Sequence, residues 1–183
     1  SDNIATLTLN RPDALNALSA DLAKDLGRAI DEVKERAGDD VRSLILTGAG
    51  RAFCAGLDIK AASDTSVPRP FGAGMGFQGY LAEVYMKMRR CPQPIISLIQ
   101  GPACGGGFAF ALASDVRIAA DNARMNAAFI KIGLSACDMG TSYFLPRLVG
   151  TSLASELMLT GRFLHADRAL ERGLVSEVVP EDE

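Results

Sequence analysis

Apolar residues change rhythm several times along the chain, and each change marks an element. Ile4, Thr6 and Thr8 alternate with Ala5, Leu7 and Leu9, the period of a strand, which stops at Asn10-Arg11-Pro12. Ser19 then caps a helix with Leu22, Leu26, Ile30 and Val33 on one face and Lys, Asp and Glu on the other, closed by Gly38-Asp39-Asp40. Val41 to Thr47 is branched and apolar enough for a buried strand, and the loop GAGRAFCAG follows it. Leu81, Val84, Tyr85 and Met88 make a second helical stripe, ended by Cys91-Pro92-Gln93-Pro94, and Ile95 to Ile99 a further buried strand. Gly107 to Ala113 reads as a short apolar helix and Asp115 to Ala119 as one more strand. Helical stretches follow near Tyr143–Val149, Ser152–Thr160 and Asp167–Arg172, with Gly150, Gly161 and Gly173 at helix-terminating positions. Strands alternating with crossover helices predict an α/β fold with a largely parallel sheet.

Between these elements, residues 61–79 carry two prolines, four glycines and no clear period. This stretch is expected to be a mobile loop, either a lid or a plain surface connection. The length of 183 residues suits a single domain. A hydrophobic content of 48%, a charged content of 22% and a net charge of −3 offer no basic field for nucleic acid or anionic lipid. No run approaches the roughly 18 apolar residues of a membrane span, and SDNIATLTLN has no signal-peptide pattern, so a cytoplasmic protein is expected. Cys54, Cys91, Cys104 and Cys137 are too scattered for a zinc site or a disulfide framework and read as reduced packing residues; no metal is expected. The chain ends soon after the strand-like VSEVV, which suggests that a C-terminal helical part is missing.

Candidate chemistry is narrowed by what is lacking. The glycine run ACGGGFAF (residues 103–110) has no GK[ST] ending, and no GxGxxG follows a strand, so nucleotide-binding readings are weak. A triad hydrolase would need a histidine, and His165 is the sole one, at the expected start of a late helix. What remains is a strand, three glycines and a helix, a geometry that can aim a free backbone N–H at developing negative charge. FCAGLDIK, after another strand, can supply a second donor. Either loop alone also fits a tight packing turn.

Four stretches in order, LNRPDALNALS (9–19), LILTGAGRAFCAGLDIK (44–60), PIISLIQGPACGGGFAFALASDVRIA (94–119) and LTGRFLHADRALERGLVSEVV (159–179), resemble signatures of the enoyl-CoA hydratase/isomerase, or crotonase, family. The resemblance covers almost the whole chain. It implies a crotonase-like spiral of ββα units with C-terminal helices, assembled as a homotrimer or a dimer of trimers, that binds acyl-CoA thioesters with no cofactor beyond the coenzyme A of the substrate. It further implies an oxyanion hole made by the N–H groups of Leu57 and Gly106, with Ala55, Gly56, Asp58, Ile59, Lys60 and Gly105 around the thioester and CoA. Arg11 and Lys60 are the cations expected near phosphates, and Asp58 is expected to fix its loop rather than react.

The chain departs from the hydratases where they carry paired glutamates: by the family's spacing these positions are Ala109 and Phe129. Neither side chain can move a proton, so both are expected to shape the acyl pocket, as are Phe71 and Phe77. DMGTSYFLPRLVG (138–150) resembles the dienoyl-CoA isomerases of the family, which carry an aspartate at the place of Asp138. Asp138 is therefore the candidate acid/base, with the cap of the helix opening near Met139 as its other reading. The expectation is an isomerase-type proton shift rather than hydration; the alternative is a family member that only binds acyl-CoA or oligomerises.

Overall fold

The computed structural model describes residues 3–38, 40–63 and 73–181. Five strands, β1 (Ile4–Leu9), β2 (Ser43–Gly48), β3 (Ile95–Ile99), β5 (Val116–Ala120) and β8 (Glu177–Val179), form one sheet in the order β1-β2-β3-β5-β8. Every pairing in it is parallel, with Leu44 opposite Ala5 and Ile95, and Leu98 opposite Ile118. A smaller sheet joins β4 (Ala103–Cys104), β6 (Arg124–Asn126) and β7 (Leu164–His165), parallel between the first two and antiparallel between the last two. The parallel sheet was legible in the alternation of elements. The small sheet was not, because strands of two or three residues leave no period.

Helix α1 (Ala20–Glu35) is capped by Ser19, whose hydroxyl accepts from the Leu22 N–H, and it buries Ala23, Leu26, Gly27, Ile30 and Val33. It packs against α3 (Ala73–Arg90), which buries Leu81, Val84, Tyr85 and Met88. The short α2 (Ile59–Ser63) follows the second glycine loop. Helix α3 corrects the sequence expectation, since residues 73–79 are helical rather than part of a mobile loop. Residues 64–72, including Phe71, and Asp39 lie outside the described residues, and with them the rest of the stretch expected to be a lid or a plain surface loop.

Helix α4 (Gly106–Ala113) is the centre of the core, with every one of its residues buried. A helix buried at both ends must satisfy its terminal carbonyls within the protein. Here the Arg117 guanidinium does so, donating to the carbonyls of Ala111 (3.2 Å) and Ser114 (2.6 Å) and, across the core, to Leu174 (2.7 Å). Helices α5 (Thr141–Val149) and α6 (Thr151–Thr160) pack side by side, and α7 (Ala166–Glu171) leads into β8.

Candidate active site

The chain reaches the site through two loops laid against each other. Cys54 follows β2 and bridges to Ala103: its N–H donates to Pro102 (3.1 Å) and its carbonyl accepts from Cys104 (2.9 Å). On the other side, Leu18 bridges to Leu57, donating to Gly56 (2.7 Å) and accepting from Asp58 (3.2 Å). Among the described residues all peptide bonds are trans. In a trans peptide the N–H opposes the carbonyl, so with the Gly56 carbonyl aimed at Leu18, the Leu57 N–H is aimed away from it. Gly106 is the first residue of α4, where an N–H has no intrahelical acceptor. A Cβ built on Gly56, at φ +86°, would stand 2.7 Å from the Cys104 carbonyl oxygen and 3.5 Å from the Gly106 nitrogen. A Cβ on Gly107 would meet the Cys54 carbonyl oxygen at 2.2 Å. The glycines are thus what lets the two donor loops touch.

Both loops open onto a cavity of about 240 Å³. Of the residues expected at the site, Ala55, Gly56, Leu57, Ile59, Gly105, Gly106, Phe129 and Asp138 line it. Leu18, Leu81, Leu134 and Met139 extend the apolar wall, and Asp138 is the one carboxylate among the described lining residues.

Five expected residues stand outside the described lining. Ala109 is fully buried inside α4 and does not line the cavity. Phe77 packs against the core from α3 without lining it. Lys60 is exposed on α2. Asp58 supports its loop instead: it accepts from the Ala61 N–H (3.1 Å) and pairs with Arg11 at 3.0 Å. The Ala61 hydrogen bond, and then Arg11, hold its carboxyl below the usual range despite burial. One guanidinium nitrogen of Arg11 is engaged by Asp58 and by the Ala17 carbonyl.

Asp138 opens a short 3-10 turn (Asp138–Gly140) and makes no cap, for neither that turn nor α5 has a side-chain N-cap bond. Its partner is Gln78 of α3, whose Nε2 donates to Oδ2 at 3.3 Å. The next residue, Met139, is left-handed at φ 51°, unusual for a side chain of its size. Its sulfur lies 3.2 Å from the Tyr85 hydroxyl, which donates to the Gly106 carbonyl at 2.9 Å. Burial, and then the neighbouring Cys54 and Asp138, push that hydroxyl well above its ordinary value, so it stays protonated. His165 is an exposed N-cap residue of α7 with no side-chain cap bond, away from the cavity lining.

Sequence reasoning missed Gln78, Leu18, Lys131 and Asn16. Lys131 lines the cavity with its ammonium 5.3 Å from the Phe163 ring centre. Asn16, fully buried, ties the segment bearing Leu18 to the loop after β2, donating to the carbonyls of Ala49 (3.0 Å) and Ala52 (2.8 Å). Its place within LNRPDALNALS was the available signal.

Parallel strands feeding two glycine loops that line one apolar cavity define a crotonase-fold protein. A family model described as enoyl-CoA hydratase/isomerase matches residues 1–183, and the chain belongs to that family. It is 42% identical to a "Probable enoyl-CoA hydratase" of Mycobacterium bovis, over 98% of this chain and 64% of that protein. It is 37% identical to the 1,2-epoxyphenylacetyl-CoA isomerase of Escherichia coli, over 98% of this chain and 67% of that one. Among solved structures, a monofunctional enoyl-CoA isomerase of M. smegmatis superposes with a TM-score of 0.79 at 40% identity, over 98% of this chain and 74% of that one. The chain thus spans about two thirds of the length of these relatives. Among the described residues no helix is long and apolar enough to cross a membrane.

Proposed function

We propose that this chain belongs to an enzyme that moves a proton along the acyl chain of an enoyl-CoA thioester, with the N–H groups of Leu57 and Gly106 as its oxyanion hole. The observation that carries the reading is the composition of the cavity wall, where both donor loops meet one carboxylate, Asp138, among the described residues. Removal of a proton next to the thioester sends the C–H electrons into the carbonyl, and negative charge grows on its oxygen. Each preorganised N–H there is worth about 2.7–4 kcal/mol in the transition state. Asp138 takes the proton as a carboxylate and returns it two carbons further along, so the double bond shifts with no net gain or loss of atoms. Addition of water by paired glutamates is disfavoured, since Ala109 and Phe129 occupy their positions. The substrate's coenzyme A is the only cofactor the reading needs, and the trimeric assembly and cytoplasmic location belong to the same proposal.

The test follows absorbance of the full-length protein with crotonyl-CoA and with a 3-enoyl- or dienoyl-CoA. Conversion of the latter pair, lost at least 100-fold in Asp138→Asn, is the expected result. Turnover that survives Asp138→Asn removes Asp138 from the mechanism, and binding of every thioester without turnover makes the chain an acyl-CoA-binding protein instead.

A further inference from the structure

The Gly106 donor has no side chain through which the fold can aim it, so its neighbours must. The peptide preceding Gly105 is fixed by the Gly105 N–H, which donates to the Asn126 carbonyl at 2.9 Å. The peptide following Gly106 is fixed by the Tyr85 hydroxyl, 2.9 Å from the Gly106 carbonyl oxygen. That hydroxyl sits at the end of a ring buried to 4% exposure and stacked on Phe110 of α4, with centroids 4.6 Å apart. It also lies 3.2 Å from the Met139 sulfur, in the left-handed residue next to Asp138. A hydroxyl has one proton, so the carbonyl takes the hydrogen bond and the sulfur supplies a close packing contact. Seven residues earlier on α3, Gln78 holds the Asp138 carboxylate. Residues seven apart share a helix face, so one face of α3 grips both ends of the reaction axis.

We infer that Tyr85 is a positioning residue: its hydroxyl fixes the Gly106 donor and sets that donor's place relative to the Asp138 turn. The inference rests on the oxyanion-hole reading above. Three observations raise it above ordinary core packing. The hydroxyl is spent on the residue that carries the donor, although phenylalanine would fill the same volume. The ring is stacked on the helix that the donor begins. The hydroxyl also contacts Met139, a residue held in an unfavourable backbone conformation that the contact helps to maintain.

A carbonyl held by two aligned N–H donors is polarised, and its stretching band moves to lower frequency. The experiment records the isotope-edited infrared band of a non-reacting saturated acyl-CoA, carbon-13 labelled at the thioester carbonyl, bound to the wild-type full-length protein and to Tyr85→Phe. Both are also made in an Asp138→Asn background, so that the readout does not depend on proton transfer. Wild type is expected to shift the band downward from its position in water, and Tyr85→Phe to return it at least halfway. The dissociation constant for the saturated thioester stays within threefold while turnover of the 3-enoyl-CoA falls at least tenfold. Met139→Leu, which keeps the apolar volume and removes the sulfur, is expected to give a smaller return of the band and keeps the question answerable should Tyr85→Phe fold poorly. A shifted band in wild type that is unchanged in both variants overturns the role of Tyr85 and leaves the oxyanion hole intact. An unshifted band in wild type overturns the oxyanion-hole reading itself, and the inference with it.

Discussion

Asp58 illustrates how a charged residue beside a proposed catalytic site can serve the fold. Its carboxylate accepts from Ala61 and pairs with Arg11, whose guanidinium also reaches the Ala17 carbonyl, so it links the segment before α1 to the loop that carries Leu57. These contacts hold its folded pKa below the ordinary value of 3.8. The sign follows directly: the stabilisation is fully present above pH 3.8 and is lost as pH falls toward the lower folded value. Asp58→Asn is therefore expected to be less stable than wild type by a constant amount between pH 5 and pH 7, with the gap narrowing below pH 3.8. Denaturant melts across that range measure the gap, and one that stays constant down to pH 3 shows that the charge of Asp58 contributes nothing. The motif identified this residue as structural, but the ion pair with Arg11 was hidden, because the two stand far apart in sequence and Arg11 was expected at a phosphate.

Among the elements, α4 and α3 were legible to different degrees, and the reason is packing. GGFAFALA is apolar throughout, and a helix apolar on all sides has to lie in the core, where α4 is found. Helix α3 begins in a glycine-rich stretch that reads as a loop. Gly74, Gly76 and Gly79 have nothing within 4 Å of a built Cβ, while Phe77 and Tyr80 pack against the core. Tertiary burial therefore supports a turn that intrinsic propensity alone would discourage. This matters for the site, since Gln78 falls in that turn and no reading of it as loop could have aligned it with Tyr85. The C-terminus of α4 depends on Arg117 in the same way. Its buried guanidinium donates to the carbonyls of Ala111, which also accepts from the Ser114 N–H, and of Ser114 and Leu174, and each buried acceptor left without a donor costs about 1–3 kcal/mol. Arg117→Met keeps much of the volume and removes every donor. It is expected to lose at least about 2 kcal/mol of unfolding free energy in a denaturant titration, and a loss below about 0.5 kcal/mol would mean that water replaces the guanidinium.

In the molecule as a whole, the site is a junction rather than a segment. The two proposed donors, Leu57 and Gly106, could be named because each lies in a contiguous glycine motif. Leu18, Gln78, Tyr85 and Met139 could not, because they converge from separate elements, and the motifs that hold Leu18 and Met139 do not say that those side chains meet the site. Cys54 sits at the heart of that junction, between the loop after β2, β4 and the glycines that open α4. The four cysteines, all free, can therefore report how the junction opens. Burial pushes the Cys54 thiol up to about 12, so it is both inaccessible and unreactive in the native state. Burial also raises Cys91 and Cys104. Cys137 is exposed, and hydrogen bonds with Ser135 and Ser142 lower it, favouring the thiolate. A disulfide reagent at pH 8 is thus expected to modify Cys137 first, in a fast phase that Cys137→Ser removes. Cys54 is expected to react only through global unfolding, since exposing its sulfur requires β4 and α4 to part from the β2 loop together. Its labelling rate in low denaturant should then rise with the same dependence as the equilibrium unfolding curve. A Cys54 that is labelled at a rate independent of denaturant would show that the two glycine loops separate locally, and that the distance between the proposed donors is not fixed by the core.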